Sequence, residues 1–115
     1  MNKNKHLSKA LHNEDFFGSL DVDSTKFRDW LVTGIFYAAL HYYESYFADL
    51  NKHSPSHEIS DDWIAQDSKL ALTYNDYREL KQYRRDASYK ARNFTPQEIR
   101  DIILPLFNNI KKQLL

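Results

Sequence analysis

Cysteine is absent from this 115-residue sequence, which excludes disulfide bonds, thiolate metal ligands and cysteine nucleophiles. Glycine occurs only twice and proline only three times. An all-β sandwich needs a turn about every 8–12 residues, so this shortage of turn-forming residues argues against one. Hydrophobic residues make up 42% of the chain and charged residues 28%, which is typical of a single globular domain rather than a disordered segment.

Long uncharged apolar runs are missing as well. The segment before Asp15 contains no apolar stretch of signal-peptide type. The most apolar region is interrupted by Glu44 and Asp49, so it falls short of the roughly 18 uncharged residues that a membrane span requires. We therefore expect a cytoplasmic protein with no membrane partner.

The whole chain has a formal net charge of zero, but its charged residues are unevenly distributed along the sequence. Residues 1–13 contain three lysines and no acid, residues 14–67 contain eleven acidic and three basic residues, and residues 69–115 contain five acidic and ten basic residues. This distribution is consistent with an ordinary mixed surface. It is also consistent with a basic face for nucleic acid, or with charge complementarity between two copies.

The apolar residues recur at the helical period and predict one all-α domain. The predicted helices run from about Lys5 to Phe17, Thr25 to Leu50, Ser56 to Leu72, Asn75 to Lys90, and from Pro96 to the C-terminus. We interpret residues 24–115 as a four-helix up-and-down bundle, preceded by a short N-terminal helix and linker over residues 1–23.

Several local signals set the expected helix ends and faces. On the first helix, Leu7, Leu11 and Phe16 are spaced to line one face. Gly18 favours a left-handed cap. Asp23 and Ser24 are N-cap candidates for the second helix. Thr95, Pro96 and Glu98 follow the order of an N-cap, a first-position proline and a capping-box acid. Pro105 should kink the last helix or shift its register.

The second predicted helix is apolar nearly all round, which indicates burial by several neighbours or by a second subunit. Gly34, Ala38 and Ala39 would let another helix approach closely, so this helix is also a candidate dimer or partner interface. It carries His41, which could be a catalytic group or a histidine held by one hydrogen bond.

Histidine and arginine provide the candidate chemistry. No two of the five histidines form an HExxH motif, because the pair at that spacing, His53 and His57, has Ser54 where the motif has glutamate. His53 and His57 flank a proline loop, but surface histidines are the simpler interpretation. We predict no metal and no cofactor. Arg84 shares a helix face with Leu80 and Ala87, so its guanidinium should lie at the edge of the core and require a phosphate or a carboxylate. The carboxylate partners available to it are Asp29, Glu44, Asp49 and Asp86.

Two stretches resemble prokaryotic members of the HEPN superfamily. WLVTGIFYAALHYYE, from Trp30 to Glu44, is followed by KHSPSH, and YRELKQYRRDASYKARNFTPQEI begins at Tyr77. The resemblance implies a helical bundle that commonly dimerises. It also implies a setting of toxin–antitoxin pairs or phage defence, where many members are metal-independent RNA endonucleases with an Arg-x4-6-His motif. In such a site the arginine stabilises phosphate charge and the histidine transfers a proton.

The chain departs from this motif, because it has no histidine after His57. Tyr89 occupies the nearest position to the expected histidine, and an ordinary tyrosine, with a pKa near ~10, is a poor base at neutral pH. One hypothesis is therefore a non-catalytic module that forms a homodimer, or that binds a cognate protein or RNA. The alternative is a ribonuclease that uses Arg84 or Arg85 with His41, His57 or Tyr89.

Overall fold

The computed structural model describes residues 2–53, 57–89 and 92–115, with the side chains of residues 57–60 left out. It confirms the all-helical class, since the described residues contain no strand. The helices are α1 (Lys3–Gly18), α2 (Arg28–Asp49), α3 (His57–Gln66), α4 (Tyr74–Tyr89) and α5, a continuous helical stretch over residues 96–114. No helix in these described ranges is long and apolar enough to cross a membrane.

The N-terminal helix is part of the bundle, which corrects the prediction that it stands apart. It runs antiparallel to α2 along nearly its whole length. Lys3 Nζ lies 2.6 Å from the Asp49 carboxylate at one end, and Phe17 packs beside Gly34 at the other. A Cβ on Gly34 would lie 3.1 Å from the ring of Phe16. The small residue that was predicted to admit a neighbouring helix therefore admits α1 of the same chain.

The other long helices, α4 and α5, complete the bundle. Tyr43 contacts Tyr77 edge to face, while Tyr37 contacts Arg84, so α4 runs antiparallel to α2. Phe107 of α5 packs edge-on against Phe17 of α1, with ring centroids 5.6 Å apart. The four long helices are therefore α1, α2, α4 and α5.

The short helix α3 does not extend from Ser56 to Leu72 as predicted. Its predicted first residue lies outside the described part of the chain, and the helix ends at Gln66. The Asp67 carboxylate then accepts hydrogen bonds from the backbone N–H groups of Lys69 and Leu70. A 3₁₀ turn, Leu70–Thr73, leads into α4. A local side-chain bond of this kind competes with continuation of the helix.

The core is continuous across all five helices, and its largest fully buried side chains are aromatic or aliphatic. They are Phe36, Leu31, Ile35, Leu40, Tyr43 and Phe47 from α2, Ile64 from α3, Leu70 from the 3₁₀ turn, Tyr77 and Leu80 from α4, and Ile99 and Phe107 from α5. Burial on this scale is the main source of stability for a helical domain.

Two predicted helix ends differ from the observed ones. Gly18, the last residue of α1, does not adopt a left-handed conformation, and neither does the C-cap residue Ser19, whose φ is −79°. Asp23 and Ser24 do not cap α2, because that helix begins later, after Phe27. The Arg28 side chain donates to the carbonyl oxygens of Val22 and Asp23 at 2.8 and 2.7 Å. These bonds hold the linker in a turn and delay the helix.

The start of α5 is confirmed. The Thr95 hydroxyl accepts a 3.1 Å hydrogen bond from the Glu98 backbone N–H, and Pro96 occupies the first turn. The predicted effect of Pro105 is also observed, because the segment before it, Ile99–Ile103, is π-helical. Proline cannot donate the usual backbone bond and crowds the carbonyl four residues earlier. A wider turn relieves that crowding.

Candidate functional site

One side of α2 remains open to solvent. The six residues that line it recur every three or four positions, so they lie on one helix face. They are Trp30, Thr33, Tyr37, His41, Glu44 and Ala48, and we call them the α2 stripe. Between Trp30 and Ala48, every other residue of α2 except Tyr46 is buried. The described residues thus cover the apolar faces of α2, and the α2 stripe is the longest part of this helix that a partner can reach.

Arg84 of α4 reaches the middle of the α2 stripe. Its Nη2 donates a 2.8 Å hydrogen bond to the Tyr37 hydroxyl, and its guanidinium carbon lies 5.5 Å from the centroid of that ring. The Nε atom is buried without a hydrogen-bond partner. Cation–π contact with a tyrosine stabilises the side chain but does not neutralise its charge.

Of the two partners expected for Arg84, a phosphate or a carboxylate, the described residues provide no carboxylate. Asp49 pairs with Lys3, and Asp86 pairs with Arg92. Lys81 on the same helix, by contrast, does form an ion pair, with Asp61.

A cluster of three polar side chains lies toward the C-terminal end of the α2 stripe. The Nδ1 atoms of His6 and His41 are 3.3 Å apart. Oε2 of Glu44 lies 3.0 Å from Nδ1 of His6 and 3.5 Å from Nδ1 of His41. Burial lowers the pKa of His6, and the nearby Glu44 carboxylate opposes that shift. The imidazoles and the carboxylate all direct atoms that can bind a proton or a metal toward one point.

The predicted site residues fall in different places. His41 belongs to the α2 stripe. Arg84 contacts the stripe through Tyr37, which lies one helical turn before His41. Arg85 is exposed on another face of α4, beside Asp61 and Lys81. Tyr89 is 77% exposed at the end of α4. The side chain of His57 lies outside the described residues.

Sequence reasoning missed two contributors, His6 and Tyr37. The spacing of His41 and Glu44 by three residues was an available signal, because it places both side chains on one helix face. Nothing in the sequence pointed to His6, which lies 35 residues from His41 and meets it only because α1 packs antiparallel to α2.

Comparison with protein-family models, curated proteins and solved structures finds no match to this chain. The site contains a half-buried cation without a carboxylate partner among the described residues, and a cluster of two imidazoles with one carboxylate.

Proposed function

We propose that the chain is a HEPN-like helical module that binds single-stranded RNA along the α2 stripe without cleaving it. The observation that carries this proposal is the environment of Arg84. A guanidinium held at the core edge is costly to leave without an anion. No described carboxylate pairs with Arg84, and a phosphate fits its planar set of donors.

Trp30 supports a single-stranded rather than a double-stranded ligand. It is 59% exposed and lies on the same stripe as Tyr37, seven residues and therefore about 10 Å away along the helix axis. Exposed aromatic rings bind unpaired bases by stacking, whereas the bases of a duplex are not accessible to them. A phosphate at Arg84 and a base on Trp30 would then belong to one bound strand.

A non-catalytic role follows from the missing histidine. The resemblance to the HEPN superfamily calls for a histidine four to six residues after the arginine, and α4 contains none. In such a module the α2 stripe would serve recognition, either within a homodimer or with a cognate protein of a toxin–antitoxin or phage-defence pair. Light scattering of the purified chain tests the dimer directly, since a monomeric mass at micromolar concentration would contradict it.

A ribonuclease is the second candidate, and one observation favours it. His41 lies on the same stripe as Tyr37, one turn from the residue that holds Arg84. In this alternative Arg84 stabilises the phosphate charge, and His41, next to Glu44, transfers the proton of the attacking 2′-hydroxyl. Arg85 and Tyr89 have no part in it, because they lie on other faces.

Fluorescence anisotropy with a labelled single-stranded RNA tests RNA binding. We expect Arg84→Gln to weaken binding about 10- to 100-fold, the usual value of a charged hydrogen bond. The slope of log K against log salt should fall by about 0.7. Arg85→Gln is the matched control, because it removes the same charge from the neighbouring position. Equal losses in the two variants would contradict a specific role for Arg84.

The same proteins, incubated with the RNA in EDTA and separated on a gel, decide between the two functions. Intact RNA with the affinities above supports the non-catalytic module. Cleavage that persists in EDTA and disappears in both Arg84→Gln and His41→Gln would replace it with the ribonuclease. Circular dichroism of each variant confirms that the helices are retained.

A further inference from the structure

The cluster of His6, His41 and Glu44 has the dimensions of a metal coordination shell. The three facing atoms, two Nδ1 and one Oε2, are separated by 3.0, 3.3 and 3.5 Å. In a tetrahedral zinc site with bonds of about 2.0–2.1 Å, neighbouring ligand atoms lie about 3.3–3.4 Å apart. A point at that bond length from all three atoms lies about 0.8 Å outside their plane, which is close to the ideal tetrahedral arrangement.

We propose that His6, His41 and Glu44 bind a divalent transition-metal ion, with Zn²⁺ the best match. Two imidazole nitrogens and one carboxylate oxygen form a donor set that suits Zn²⁺ and its neighbours better than Mg²⁺ or Ca²⁺, which prefer oxygen ligands. This site goes beyond RNA binding and does not depend on it.

The cluster is not fully enclosed. The His6 side chain is 10% exposed, whereas those of His41 and Glu44 are 17% and 21% exposed. The cluster is therefore more accessible along the α2 stripe than on the α1 side, and we place a fourth ligand there. Three protein ligands with one open position are characteristic of zinc sites that also bind water or another small ligand.

A hydrogen-bonded triad without a metal accounts for less of this geometry. A proton on Nδ1 of His6 satisfies the 3.0 Å contact with Glu44. Nδ1 of His41 is then 3.5 Å from the carboxylate, which is beyond a normal hydrogen bond, and its hydrogen bond with Nδ1 of His6 is long, at 3.3 Å. A cation at the common centre binds all three atoms at once and explains why they converge.

Because the ligands come from α1 and α2, metal binding should also stabilise the contact between these helices. A ligand that binds only the folded chain raises the melting temperature. For a chain of this length, a 100-fold excess of free metal over its Kd should raise that temperature by about 10 °C. Chelation should reverse the shift.

Titration of the EDTA-treated 115-residue chain with Zn²⁺, in the absence of RNA, tests the proposal by calorimetry and thermal melting. Co²⁺ serves as a spectroscopic probe, because its visible bands intensify in four-coordinate sites. We expect one equivalent to bind. His41→Gln should abolish binding, and Glu44→Gln should weaken it at least about 10-fold by removing one ligand. His12→Gln is the matched control, since it removes an exposed histidine of the same α1 helix that carries His6.

Three results would overturn the site. The first is that the unaltered chain shows no saturable metal binding. The second is an equal loss of metal affinity in His12→Gln and His41→Gln. The third is that the Co²⁺ bands survive in Glu44→Gln and His6→Gln. Metal-free circular dichroism and melting of each variant separate a lost ligand from a lost fold. Because no RNA is present, failure of this site is distinguishable from failure of the proposed RNA binding.

Discussion

The cluster of His6, His41 and Glu44 can form only if α1 packs against α2 as described. A stability experiment that tests this packing is therefore the most informative one. Leu7 and Leu11 make a matched pair, because they are identical residues one turn apart on α1. The periodicity of the sequence predicts that both line the buried face. In the structure, Leu7 packs against the core, whereas Leu11 is 55% exposed.

The expected cost of each alanine substitution follows from this difference. Fully buried leucines lose about 2–5 kcal/mol when they are truncated to alanine, and Leu7 is only partly buried. We therefore expect Leu7→Ala to lower the free energy of unfolding by about 1.5–2.5 kcal/mol, and Leu11→Ala to lower it by about 0.5 kcal/mol or less. Leucine and alanine have similar helix propensities, so the comparison isolates packing.

Urea unfolding followed by circular dichroism measures both values. Each kcal/mol corresponds to about 4 °C in the melting temperature of a chain of this length, so melting curves give an independent reading. The m-values should be unchanged, because the substitutions do not alter how much surface unfolding exposes. Equal costs for the two variants would refute the placement of α1, and with it the apposition of His6 and His41.

Three further predictions concern the rest of the fold. Thr95→Ala removes the side-chain cap of α5 and should cost about 1 kcal/mol in urea unfolding, while an unchanged midpoint would mean that the cap is not formed. Gly34→Leu should cost about 1–3 kcal/mol, because a larger side chain forces α1 away from α2; a neutral effect would argue against their close approach. Burial raises the pKa of Asp76 above its ordinary value of 3.8, so the folded chain holds this proton more tightly than the unfolded chain, and stability is lost as pH rises through the folded pKa. Asp76→Asn removes this contribution, so its urea midpoint relative to that of the unaltered chain should rise as the pH is raised above about 4, and a constant difference between the two proteins would contradict the shift.

Features that depend on local spacing could be predicted from the sequence. Apolar residues at the helical period predicted an all-helical chain, and the Thr95 cap and Pro105 each acted within a few residues of their own position. The sequence also predicted that Arg84 lies at the core edge, because Leu80 and Ala87 share its helix face and are buried.

The contacts that those helix faces make depend on how the helices pack together. The sequence could not show that α1 rather than α3 is one of the four long packed helices, since several helices could cover an all-round apolar α2. It could not bring His6 to His41 across 35 residues, or give Arg84 the Tyr37 hydroxyl instead of a carboxylate. These contacts follow from how the helices pack, and local periodicity does not specify that packing.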